Sequence, residues 1–204
     1  MDMKLEQDQY RTIRSNIGGI LHKEKNSKFL GYTYTVENEA DIKKILETLK
    51  KEHLGANHVC YAWQLGVEEI SYRVNDDGEP NNSAGMPIYG QIQAFELTNV
   101  LVAVVRYFGG TKLGVGGLIS AYRSAAQMTL KEAKIIEKTL QVPLLLEFDY
   151  AHMNRVMRII KKHSLQIVSQ TLEIRCQLTL SIRQSHLSKV KDLFLSLQDV
   201  TVKE

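Results

Sequence analysis

The segment RYFGGTKLGVGGLISAYRSAA, residues 106–126, places five glycines and three cations inside a stretch, 97–130, that contains no acid. Without a Cβ, Gly109, Gly110, Gly114, Gly116 and Gly117 let backbone amides come close to a ligand. A helix predicted to begin near Gly117 presents free N–H groups and a partial positive charge. The chemistry on offer is anion or phosphate binding, with Arg106, Lys112 and Arg123 adding full charges. The same glycines also suit a tight strand-to-helix turn pressed against its neighbours, and the two roles are compatible. Spacing excludes the specific nucleotide loops. Lys112 precedes Gly114, so no Lys-Ser/Thr pair closes a Walker loop. Ile119 stands where a dinucleotide fingerprint starting at Gly114 and Gly116 needs its third glycine.

A second candidate is NDDGEPNNSAGMP, residues 75–87. Asp76, Asp77 and Glu79 are oxygen ligands of the kind a hard cation takes. Neither aspartate, however, starts a register with the glycine and glutamate of a calcium loop. Asp-Gly followed by Pro80 is turn chemistry, and Ser83 is expected to cap the helix that follows. His58 and Cys60 lie two apart on a predicted strand and share a face. A thiol nucleophile needs an activating environment that the sequence does not display, so they read as a buried thiol and a hydrogen-bonded imidazole. The other histidines lack zinc spacing and the hydrolase elbow GxSxG is absent. No catalytic residue, metal site or cofactor is assigned. Arg155, Arg158, Lys161 and Lys162 occupy neighbouring turns of a predicted helix, a stripe that can follow a phosphate backbone or simply stay solvated.

These residues need elements to position them. A hairpin turning at Lys25–Ser27, an amphipathic helix carrying Ile42, Ile45, Leu46 and Leu49, and a second hairpin through HVCYAWQLG and EEISYRV come first. A short helix from Ile88 to Phe95, the strand NVLVAVVRYF and a helix from about Gly117 to Lys134 complete the order ββαββαβα. The remainder alternates strand TLQVPLLLEFDY, helix HMNRVMRIIKKH, strands LQIVSQTLEI and RCQLTLSI, a helix opened by a Ser185 cap, and strand DVTV. That is βαββαβ, the ferredoxin-like split motif, and it puts the class at α+β with domains over 1–136 and 137–204. The sheet lacks the stacking aromatics of an RNA-recognition motif.

Composition fits a globular protein: 204 residues, 44% hydrophobic, 24% charged, net charge +3. The N-terminus has no secretory pattern and no apolar run could span a bilayer, so a cytoplasmic protein without membrane contact is expected. Two distant cysteines, Cys60 and Cys176, suit a reducing compartment.

The blocks NHVCYAWQLG, NDDGEPNNSAGMPI and NVLVAVVRYFGGTKLGVGGLISAYRSAA, in this order and spacing, resemble the signature of the YigZ/IMPACT family over about residues 15–130. Asp76, Asp77, Gly78, Glu79 and Pro80 match its acidic loop, and Arg106 to Gly110, Lys112, Gly114, Gly116 and Gly117 its glycine signature. Gln64, Asn81, Asn82 and Arg123 depart from it. The resemblance implies a first domain like domain 2 of ribosomal protein S5 and a ferredoxin-like second domain similar to one in elongation factor G. It also implies translation regulation, because eukaryotic members restrain a kinase of an initiation factor by competing for its activating partner. The expected function is a non-enzymatic binding protein linked to translation, contacting RNA, the ribosome or a translation factor. The alternative is a metal-dependent phosphotransferase or hydrolase built on loops 76–79 and 109–117.

Overall fold

The computed structural model describes residues 8–203; residues 1–7, part of the stretch inspected for a leader, lie outside them. The chain forms two compact units, Tyr10–Lys138 and a second made by 139–203 with residues 8 and 9. Among the described residues no helix is long and apolar enough to cross a membrane.

In the first unit the elements are β1 (Gln9–Ile13), β2 (Ile17–Glu24), β3 (Ser27–Thr35), α1 (Glu39–Glu52), β4 (His58–Leu65), β5 (Ser71–Asn75), α2 (Gly85–Ala94), β6 (Val100–Tyr107), α3 (Gly114–Glu132) and β7 (Ile135–Thr139). Strands β2 to β6 form one antiparallel sheet in the order β2-β3-β6-β4-β5. Central β6, VLVAVVRY, is covered on both faces, which its unbroken apolar run requires. Val100, Val102 and Val104 pack with Ile88 and Ile92 of α2 and Leu118, Tyr122 and Ala125 of α3. Leu101 packs with Ile42, and Ala103 and Val105 with Leu49, on the α1 side. Helix α1 starts where Asn38 accepts a hydrogen bond from the Asp41 N–H at 2.9 Å.

Several sequence expectations change. Strands β1 and β7 pair as a separate two-stranded sheet that local patterning does not announce. Helix α2 begins at Gly85, three residues before its expected start, and α3 begins at Gly114 rather than near Gly117. Ser83 does not cap α2. Its hydroxyl donates to the Pro80 carbonyl at 2.6 Å, while the Asp76 carboxylate accepts from Ala84 and Gly85 N–H at 2.9 and 2.8 Å. A charged acceptor already occupies the helix start, so the serine is free to close the preceding turn.

The second unit contains β8 (Gln141–Asp149), α4 (Met153–Lys162), β9 (Gln166–Thr171), β10 (Arg175–Arg183), α5 (Leu187–Leu195) and β11 (Val200–Lys203). The connectivity is βαββαβ and the antiparallel sheet runs β11-β8-β10-β9. Alternate residues Leu144, Leu146 and Phe148 of β8 and Cys176, Leu178, Leu180 and Ile182 of β10 face Val156, Ile160, Val190 and Phe194 of the helices.

Ser185 does not cap α5 either: a short 3-10 turn over Gln184–His186 precedes the helix, and the Ser185 N–H donates to Asp8 at 3.0 Å. Asp8 also accepts from Arg183 Nε and Nη2, both at 2.8 Å, which ties residue 8 to the C-terminal unit. The Arg183 guanidinium, with Ser185 second, holds the Asp8 carboxyl well below the usual carboxylate range. A depressed folded-state value stabilises the fold above the unfolded value of about 3.9 and is lost as pH falls toward the folded one. Asp8→Asn should therefore lower thermal stability at pH 7 and flatten its loss below about pH 4. Parallel losses in variant and wild type between pH 7 and 3 would contradict this.

Candidate functional site: a cationic cleft beside a buried ion pair

Residue register builds the site. Phe29 of β3 and His58 of β4 are the Cα partners of Arg106 on either side, so the three form a row on the face covered by α2 and α3. The loop after β5 brings Glu79 to this row. Its Oε1 accepts from Arg106 Nη1 at 2.6 Å and from the Tyr122 hydroxyl at 2.7 Å. Arg106 is only 5% exposed, and its guanidinium lies 5.4 Å from the Phe29 ring centre and 5.5 Å from that of Phe108. Its Nε has no partner among the described residues.

Arg106, expected at an anion site, lines the cleft described below with its charge paired to Glu79. An acid-free stretch of chain does not imply an acid-free surrounding, because the counter-charge arrives from a loop 27 positions away.

The remaining acids are equally occupied. Asp76 accepts from the N–H groups of Asn82, Ala84 and Gly85. Asp77 accepts from the Val59 N–H at 2.7 Å and pairs with Lys50 at 2.9 Å. The acidic loop thus caps α2, clips β4 and neutralises Arg106, with Gly78 at φ +90° allowing the turn between the last two tasks. Among the described residues no group of three His, Cys, Asp or Glu could hold a metal ion. The metal-dependent alternative loses its ligand set, since each carboxylate is aimed at a different protein donor.

His58 and Cys60 do share a face. His58 Nδ1 donates to the Asp77 carbonyl at 2.8 Å, while the Cys60 sulfur lies 3.0 Å from the Asp76 carbonyl and 3.3 Å from the Tyr122 oxygen. Burial pushes the Cys60 thiol far up, opposed by Tyr122 and reinforced by Glu79. Burial likewise raises the Tyr122 hydroxyl. Both stay protonated, so neither is a nucleophile or base at neutral pH.

Above this neutral floor opens a cleft of about 430 Å3, bounded by Asn57, His58, Pro80, Phe108, Lys112 and the first residues of α3. Among the described residues Glu79 is its single lining acid, already engaged by Arg106. Helix α3 has no side-chain cap and no acid in its first turn. Lys112 is exposed and has no carboxylate partner among the described residues. The cleft is therefore positive, with helix N–H groups and one ammonium as its donors.

The glycines divide by task. Gly109 packs so tightly on Asn26 and Ser27 that a Cβ would overlap their backbone. Gly110 and Gly114 sit at φ +83° and +72°, and Gly114 is where the chain turns into α3. Gly116 faces open space and Gly117 lies near the Leu113 side chain. Arg123 lies nine residues beyond Gly114 and outside the cleft lining, about 13 Å along the axis at about 1.5 Å per residue. It does not join the cluster with Lys112. Arg155, Arg158, Lys161 and Lys162 are all exposed on α4 in the other unit. The family departures are accommodated: Gln64 bonds Leu97 and Tyr89, and Asn82 takes φ +60°, where asparagine is tolerated.

Phe108, like Asn57 and Val115, is a lining residue that the sequence did not single out. Its backbone N–H donates to Asn57 Oδ1 at 2.8 Å, which holds the ring at the rim.

Comparison with known proteins adds lineage. The sequence profile described as the Impact N-terminal domain matches residues 25–130. An IMPACT family member of Haemophilus influenzae is 34% identical over 165 residues, covering 78% of this chain and 79% of its own length. The IMPACT family member YvyE of Bacillus subtilis is 32% identical over 132 residues, 65% of this chain and 61% of its own. A crystal structure of a hypothetical protein shares the fold, with a TM-score of 0.73 at 22% identity over 96% of each chain. The domain match over more than half the sequence, together with these relatives, shows that the chain belongs to the IMPACT family.

Proposed function

We propose that this chain is a non-enzymatic binding protein linked to translation, and that it takes the phosphate backbone of RNA, free or on the ribosome or an RNA-bound factor, at the cleft beside Lys112. The observation that carries the reading is the charge balance there. Among the described residues the one acid in the lining is paired with Arg106, and Lys112 and the uncapped start of α3 remain for an anion. Among the described residues the Asp76 and Asp77 carboxylates are engaged by separate backbone N–H groups, which supports binding by the cations and helix start in this reading.

The translation link rests on the family resemblance, in which the eukaryotic members act on initiation control. We read the five-stranded unit as S5 domain 2-like and the βαββαβ unit as similar to an elongation factor G domain, and the protein as cytoplasmic. The exposed α4 stripe of Arg155, Arg158, Lys161 and Lys162 is a further backbone contact in this reading.

The test is binding to ribosomal particles and to purified RNA across a salt series. Lys112→Ala should weaken RNA binding and lower the slope of log K against log salt by about 0.7, as for one lost phosphate contact on a single strand. Arg123→Ala, away from the cleft, should change neither. Salt-insensitive binding that is equal in wild type and Lys112→Ala would sink the reading, and no binding at all would move the function to a protein partner.

A further inference from the structure

On the far side of Phe108 lies a second depression of about 530 Å3, lined by Leu21, Lys23, Asn26, Lys28, Tyr107 and Phe108 among others. Lys23 and Lys28 are Cα partners across β2 and β3, and Tyr107 is the next partner of Lys28 on β6. Directly opposed like charges destabilise a sheet, and neither lysine has a carboxylate partner among the described residues. The pair is imposed by the tight hairpin, whose turn residues Lys25 and Asn26 sit at φ +42° and +67° and bring the two lysines into register. Phe108, 44% exposed, lines both this depression and the Lys112 cleft, and stands as a ridge between two cationic hollows.

Building on the cleft reading above, we propose that Phe108 and the Lys23–Lys28 pair form a base-and-phosphate subsite that makes the ligand single-stranded RNA. One base stacks on the Phe108 ring, while the phosphates on its two sides meet Lys23 and Lys28 in one hollow and Lys112 with the start of α3 in the other. An exposed ring flanked by uncompensated cations is the arrangement by which unpaired strands are held without sequence reading. A duplex keeps its bases stacked inside and cannot use the ring. The second hollow's charge excess gives the complementarity: two lysines paired with each other satisfy no internal partner.

The experiment measures full-length protein against a fluorescein-labelled 12-nucleotide oligouridylate and a duplex RNA of equal length. Wild type should prefer the single strand. Phe108→Ala should weaken it by about 5- to 150-fold, the range for one lost base stack, with the salt slope unchanged. Lys23→Ala with Lys28→Ala should lower the slope by about 1.4, two contacts at about 0.7 each. Phe108→Trp keeps an aromatic face for the base and should show indole quenching on adding oligouridylate, against the steady background of Trp63, which is 3% exposed. This variant keeps the test decisive if Phe108→Ala disturbs the loop. If Phe108→Ala and the lysine pair bind as wild type while Lys112→Ala is weakened, the cleft reading stands and the subsite is wrong. A preference for duplex, or an unquenched indole with RNA bound, overturns it too. Wild type that binds neither RNA overturns both.

Discussion

Replacing Glu79 by alanine is expected to cost about 3–5 kcal/mol of unfolding free energy, the usual penalty for stranding one member of a buried ion pair. Among the described residues Arg106 has no alternative acid partner: its other contacts are a 3.5 Å approach to Ser27 and the faces of Phe29 and Phe108. The Tyr122 hydroxyl, fully buried, would lose its acceptor in the same step. A domain typically has about 5–15 kcal/mol in total, so the first unit would be left close to unfolding at 37 °C. Glu79→Gln keeps an oxygen for both donors and removes only the charge, so its cost should be smaller, about 1–3 kcal/mol. Urea titration with a constant m-value reads both numbers. A Glu79→Ala loss below about 1 kcal/mol would mean that water reaches Arg106 and the pair is not buried as described. The comparison also reports on the cleft, because freeing Arg106 adds a cation there, and a folded Glu79→Gln should bind RNA with a steeper salt dependence.

How far the sequence foretells this arrangement depends on whether the determinant is local. The βαββαβ unit is legible because alternation in RCQLTLSI puts Cys176, Leu178, Leu180 and Ile182 on one face, as observed. The β1–β7 pair is not, since two five-residue strands separated by most of the first unit carry no pattern that names each other. The glycine segment advertises a strand-to-helix turn, and it is one. The role of Arg106 was hidden because counting charges along the chain cannot see Glu79 arriving from another loop. Both serine caps failed because residue-type preference is a local rule: the Asp76 carboxylate takes the N–H groups at the start of α2, and a 3-10 turn over Gln184–His186 separates Ser185 from the start of α5. The Lys23–Lys28 pairing, by contrast, was within reach. The two lysines are equidistant from the Lys25–Asn26 turn, so a two-residue hairpin loop puts them opposite each other by geometry alone. Phe108 gave no such sign, since an aromatic after an apolar strand usually continues the core.

Within the glycine segment, two substitutions of identical chemistry are expected to move stability in opposite directions. At Gly109 an added Cβ overlaps the carbonyl of Asn26 and the nitrogen of Ser27, which are backbone atoms of the β2–β3 turn and cannot rotate aside. Gly109→Ala must push the 108–113 loop away from the hairpin, breaking the Gly109 N–H bond to Ser27 Oγ at 3.2 Å. Overpacking of this kind costs about 1–3 kcal/mol, and backbone partners favour the upper end. At Gly116, inside the first turn of α3, a Cβ meets nothing within 4 Å. Gly116→Ala should therefore stabilise by about 0.5–1 kcal/mol, the helical preference for alanine over glycine. Thermal and urea unfolding of the two variants should bracket wild type, and the order reversed would refute the packing described at Gly109. The functional readings separate in the same pair. Gly114 and Val115 line the cleft and Gly116 does not, so a phosphate held at the start of α3 leaves room for the methyl, and RNA affinity should be unchanged in a protein that has become more stable. A more stable variant with weakened affinity would put the phosphate beyond the cleft lining, on the exposed face of the first turn of α3.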